Sequence, residues 1–149
     1  VVVTECSGGY QSMVSLNSIT GKKLNITPYH PVIMPGKKEW IYPNSIRGSE
    51  IIKCSEMYTF VLSNRESIIV EDYVFATYGH GLSDNSVIQH DFFGTDLVVD
   101  DLKNFKNYNS GIVYLTDGMF IRNNDRNVCK IGISWKYNDF SNMLYNSKI

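Results

Sequence analysis

The sequence predicts a mainly β domain with one helix, and three observations carry that reading. Short segments rich in β-branched and aromatic residues recur, each bounded by turn-forming residues. A single stretch, after Thr95, spaces its apolar residues at helical intervals. The chain has 149 residues, 43% of them hydrophobic, with no internal repeat or low-complexity linker, which fits one core of ordinary domain size.

Taken in order, strands are expected at residues 11–16, 23–27, 31–34 and 40–42, with Gly36 and Lys37 turning the chain between the last two. A strand at 51–54 follows. Residues 57–62 and 67–70 should pair as a hairpin across 63–66, and a sharp reversal at Glu71-Asp72 leads into 73–77. The helix, about 95–107, is capped by Thr95 and carries Asp96 in its first turn. Its residues Val98, Leu102 and Phe105 fall at i, i+4 and i+7, while Lys103 and Lys106 complement the dipole at its end. Gly111 then releases the chain into a strand at 112–115, a turn at 116–118, and strands at 120–122 and 128–133. Residues 134–149 are polar and aromatic and read as a tail or a short helix. The aromatics Tyr58, Phe60, Tyr73, Phe75, Phe92 and Phe93 alternate in strand fashion and are expected in the core.

Composition limits the partners. A net charge of -1 with 19% charged residues leaves no basic stripe to follow a phosphate backbone, so no nucleic acid is expected. No apolar run approaches the roughly 20 residues of a membrane span, and no signal peptide is visible. Cys6, Cys54 and Cys129 are too few and too scattered for a disulfide framework or a metal site, which makes a reducing, cytoplasmic setting the default. No cofactor and no resident metal are expected.

Chemistry concentrates in two segments. In Ile26-Thr27-Pro28-Tyr29-His30-Pro31-Val32 a Thr stands three residues before a His, between two prolines. Proline fixes its own torsion and holds the residue before it extended, so Thr27 and His30 are aimed rigidly. Imidazole can pass a proton in either direction near neutrality. The plain alternative makes both ordinary turn residues ahead of a strand. In Thr77-Tyr78-Gly79-His80-Gly81, the glycines around His80 permit close backbone approach. His80 is either a second proton-transfer group or a turn histidine capping nearby backbone. His90 is expected to pack or hydrogen-bond ahead of the helix, and a zinc site from His30, His80 and His90 matches no known ligand spacing. Asp84, Asp91, Asp100 and Asp101 read as turn, cap and solvated helix face, while Glu56 and Asp72 are candidates to polarise a histidine.

Four segments, in order, carry a family resemblance. They are Ile26-Thr27-Pro28-Tyr29-His30-Pro31-Val32; Lys38-Glu39-Trp40-Ile41-Tyr42-Pro43; Val74-Phe75-Ala76-Thr77-Tyr78-Gly79-His80-Gly81; and His90-Asp91-Phe92-Phe93-Gly94-Thr95-Asp96-Leu97-Val98-Val99-Asp100-Asp101-Leu102. Together they resemble the Vint domain, the hedgehog/intein-type (Hint) module often found beside a von Willebrand factor A domain. The resemblance implies a twisted, horseshoe-like all-β fold. It also implies autoprocessing of the module's own polypeptide, in which a Cys at the head of the module attacks the preceding peptide carbonyl. Thr27 and His30 match the family's TxxH motif, where the His protonates the departing nitrogen and the Thr holds the strained peptide.

The sequence departs from that pattern in two places. The nucleophilic Cys should lie well upstream of TxxH, whereas Cys6 matches an interior position. The module is therefore expected over 1–133 without its first strands or its nucleophile, and inactive alone. Glu71-Asp72 and Phe75 stand where the family tends to have Asn-Gly and Cys, so cleavage is expected rather than splicing. Two other readings compete: a degenerate Hint module serving as a rigid platform, and a metal-dependent hydrolase built from the histidines.

Overall fold

The computed structural model describes residues 1–132, so the expectations for Ile133 and for 134–149 lie outside the described residues. The first sheet places β1 (Val2–Glu5) between β6 (Glu56–Thr59) and β9 (Val113–Thr116). The second sheet joins β2 (Tyr10–Asn17) to β3 (Lys23–Ile26) and β5 (Glu50–Lys53). A third runs β4 (Val32–Ile33), β8 (Tyr73–Phe75), β7 (Ile68–Val70), and β10 (Phe120–Arg122) pairs with β11 (Val128–Ile131). The expected class holds: these are small sheets of short strands, as in a Hint-like all-β fold.

Three elements differ from the expectation, two of them because pairing partners are distant in sequence. The first is β1, a strand that its own residues do not announce. It is covered on both faces, with Val2, Val3 and Thr4 all buried, so its residues show no in–out alternation. The second is the hairpin expected between 57–62 and 67–70, which does not form. β6 pairs antiparallel with β1, Val3 opposite Tyr58, and β7 pairs with β8 instead. The third is the strand expected at 40–42, which is reduced to one bridge between Val32 and Ile41. Pro43 ends that pairing and begins a short second helix, α1 (Pro43–Ile46), where its missing N–H costs nothing. Tyr58 also departs from the expected core: it is 60% exposed on the outer face of β6.

The helix α2 (Asp96–Lys103) forms as the spacing requires. The Thr95 side chain accepts from the Leu97 amide, and Val98 and Leu102 are fully buried. They anchor a core with Val2, Phe92, Val113, Leu115, Val128 and Ile131, against which Phe105 packs. Asp101 is not merely solvated, because its carboxylate accepts the Ile131 amide at 2.8 Å and ties the helix to β11. A second core, of Val14, Leu16, Ile26, Val32, Tyr73 and Phe75, lies under β2 and β8. Residues 76–81 leave this second core, and Tyr78 packs against the first.

The reversal at Glu71-Asp72 joins β7 to β8 with both residues in left-handed backbone, φ 49° and 69°. That geometry suits Asn-Gly; here Glu71 is held instead by a hydrogen bond from Thr20 and an ion pair with Lys22. Asp72→Gly is expected to raise stability by about 0.5–1 kcal/mol in urea denaturation, since glycine adopts this backbone without penalty. Leu102→Ala should cost on the order of 2–5 kcal/mol by the same measurement. A loss under about 0.5 kcal/mol would place that helix face in solvent.

Candidate functional site

The Thr27–His30 segment is a tight turn. The His30 amide donates to the Thr27 carbonyl at 3.3 Å, with Pro28 and Tyr29 at the corners, the arrangement proline favours at the second position of a β-turn. Both flanks are pinned: the Asn44 amide donates to the Pro28 carbonyl at 3.0 Å, and the Ala76 amide to the Pro31 carbonyl at 3.1 Å. Tyr29 points outward, 69% exposed, its ring edge-on to Tyr42.

The turn drives the His30 ring inward, against the edge of Phe75 and onto the Ala76 carbonyl, 2.8 Å from Nε2. A carbonyl oxygen can only accept, so Nε2 carries the hydrogen and Nδ1 bears the lone pair. Burial lowers the His30 pKa; the Ala76 carbonyl opposes this and the nearby His80 adds to it. The ring is therefore neutral at pH 7. Among the described residues Nδ1 has no hydrogen-bond partner. Thr27 Oγ1 is likewise uncommitted among the described residues.

His80 is placed differently. Residues 79–81 run beside 93–94, the Gly79 amide donating to the Phe93 carbonyl and the Gly81 amide to the Gly94 carbonyl, both at 2.8 Å. This approach needs glycine. A Cβ on Gly79 would stand 2.7 Å from Val99 Cγ2, and one on Gly94 would stand 2.9 Å from the His90 carbonyl oxygen. His80 is buried between these segments, with Nδ1 accepting the Leu82 amide at 2.9 Å and the Ile88 carbonyl bonding the ring. His90 Nδ1 accepts the Phe92 and Phe93 amides at 3.1 and 3.0 Å, the hydrogen-bonding place expected ahead of the helix.

The fold thus brings segments some fifty residues apart together at His30 and Ala76. The three histidines influence one another: His80 lowers the pKa of His30, and His90 that of His80, each after burial as the larger cause. Among the described residues no group of three His, Cys, Asp or Glu side chains gathers closely enough to hold a metal ion. Glu56 does not polarise a histidine, for its carboxylate accepts the Tyr58 hydroxyl at 2.7 Å. The Cys6 thiol is buried and pushed up to about 11, by burial first and then by its neighbour Cys54, so it stays protonated at neutral pH. Two participants were missed in the sequence. The Ala76 carbonyl carries no side-chain signal, and the Cys6–Cys54 pair joins residues 48 positions apart.

Fold and site together define a small β module in which a neutral imidazole and a free hydroxyl share one proline-fixed turn. The Vint family, described as a Hint-domain, matches residues 1–130, and the chain belongs to that family. Comparison with curated proteins found no match.

The lowered histidine pKa values give a pH prediction. Unfolded imidazoles take up protons near pH 6.5, and the folded rings do so only lower, so the unfolded chain binds more protons in that interval. Stability is then full above about pH 6.5 and is lost as pH falls through the folded values. Melting temperature should drop between pH 7 and 5; a flat profile would mean the rings are not held neutral.

Proposed function

We propose that this Hint-family domain catalyses an intramolecular acyl shift that cleaves its own polypeptide. The observation that carries the reading is His30, a neutral ring fixed through Nε2, with Nδ1 uncommitted among the described residues, on the same tight turn as Thr27. A Cys or Ser of the same polypeptide, upstream of the described residues, adds to the carbonyl of the peptide bond before it. Its proton passes to His30 Nδ1. The imidazolium, disfavoured by burial, is a strong acid and returns that proton to the departing amide nitrogen, so the C–N bond breaks and a thioester or ester forms. Water or another nucleophile then takes the acyl group. Thr27 Oγ1 hydrogen-bonds the scissile peptide, and His80 disfavours charge on His30. Cys6 is not assigned as the nucleophile: its buried thiol is turned onto Cys54, 3.9 Å away. The upstream segment is the substrate, and a von Willebrand factor A domain is the neighbour that the family resemblance suggests.

The test uses the full translation product of the gene, tagged at both ends and followed by mass spectrometry. New termini ahead of this domain are expected. His30→Ala should slow their appearance by a factor on the order of 10²–10⁴, the range for a positioned acid. Thr27→Ala should slow it less, and His80→Ala less than His30→Ala, with circular dichroism confirming that each variant folds. An intact chain would favour the non-catalytic platform, and an unchanged rate in His30→Ala would sink the proton-transfer role.

A further inference from the structure

The geometry points to Cys6 and Cys54 as a reversible dithiol–disulfide pair that responds to hydroperoxide-class oxidants. The two strands that follow one another around the first two sheets, β1 to β2 and β5 to β6, run antiparallel and are interrupted at the same level. On one side the break is Cys6 and the 3₁₀ turn Ser7–Gly9; on the other it is Cys54 and Ser55. Pairing resumes on both sides, Glu5 opposite Glu56 and Tyr10 opposite Lys53. Within the break the Cys6 amide donates to the Ser55 carbonyl and the Cys54 amide to the Gly9 carbonyl, each at 2.8 Å. The backbones carrying the two cysteines are therefore fixed beside each other from both ends.

The side chains face across this gap. Cys6 Sγ lies 3.9 Å from Cys54 Sγ, to which its thiol donates. Closing to the roughly 2.05 Å of a disulfide asks for side-chain rotation of a kind that leaves the flanking ladders in place. Asp117 stiffens the Cys6 side, its carboxylate accepting both the amide and the hydroxyl of Ser7. The two thiols also differ in access: Cys6 is buried and Cys54 is partly exposed. This division suits a peroxide-reactive cysteine and a sheltered resolving one.

The chemistry balances with a hydroperoxide as oxidant. Cys54 sulfur attacks one peroxide oxygen; an S–O bond forms, the O–O bond breaks, and the leaving oxygen takes the thiol proton and departs as water or an alcohol. Cys6 sulfur then attacks Cys54 sulfur. The S–S bond forms, the S–O bond breaks, and the expelled hydroxide takes the Cys6 proton as water. Two thiols lose two electrons and one peroxide is reduced, while a dithiol reverses the link by exchange.

The full chain, treated with hydrogen peroxide and quenched with N-ethylmaleimide, should lose two hydrogens and yield a Cys6–Cys54 linked peptide that dithiothreitol abolishes. Exposed Cys129 should take the maleimide and serve as internal control. In Cys6→Ser, Cys54 should stop at a sulfenic acid that dimedone traps. The wild-type experiment needs no variant to fold. Cys54 advancing to sulfinic acid beside a still reduced Cys6 would overturn the proposal. So would intermolecular disulfides through Cys129 as the main product, or a Cys6→Ser profile identical to wild type.

Discussion

The site depends on Ala76, whose amide and carbonyl are both bonded by the segment His30-Pro31. Its amide donates to the Pro31 carbonyl at 3.1 Å and its carbonyl accepts His30 Nε2 at 2.8 Å. Each bond is worth only about 1 kcal/mol net, yet leaving a buried carbonyl unpaired costs about 1–3 kcal/mol, so the pairing is enforced more by what its loss would expose. Because β8 is flanked by β4 and β7, the carbonyl that fixes the imidazole extends from the middle strand of a sheet. A catalytic geometry gains most from support of that kind, in which rigid elements and packed neighbours hold the reacting group.

The same constraint links the two cores. Phe75 lies in the core with Val14 and Val32, and three residues later Tyr78 packs against the core around α2, where its ring stacks on Phe93 at 4.8 Å. The short path between them carries the Ala76 carbonyl, the Thr77 hydroxyl bonded to the Glu66 carbonyl, and then the Gly79-His80-Gly81 segment.

Local features of this fold were legible in the sequence and distant ones were not. Helix α2 could be read because its cap, stripe and dipole charges all lie within about three turns, and the Glu71-Asp72 reversal because its strands are adjacent in sequence. β1 could not, since its burial comes from β6 and β9, more than fifty and one hundred residues away. The expected hairpin of residues 57–62 failed for the same reason, as the better partner for β6 was β1. At the site, the two prolines announced the rigid Thr27–His30 turn. The carbonyl it meets is backbone, which no residue pattern encodes. The cysteine pair escaped because thiols scattered along a chain say nothing of which turns will lie side by side.

The hydrogen bonds separate the three histidines by what each can do. His80 and His90 spend Nδ1 on backbone amides, Leu82 in one case and Phe92 with Phe93 in the other. A proton arriving on that nitrogen would have to displace those amides. His30 spends Nε2 on a carbonyl instead, leaving as its free nitrogen the one that can take a proton. Its neighbours sharpen this. His80 disfavours charge on His30 and His90 disfavours charge on His80, so the row of rings favours the all-neutral state. A proton accepted by His30 therefore sits in a place that resists it and leaves readily to the next base within reach. The acyl shift proposed for this domain asks that property of its acid, and among the described residues it arises from burial and arrangement, with no carboxylate bonded to the ring.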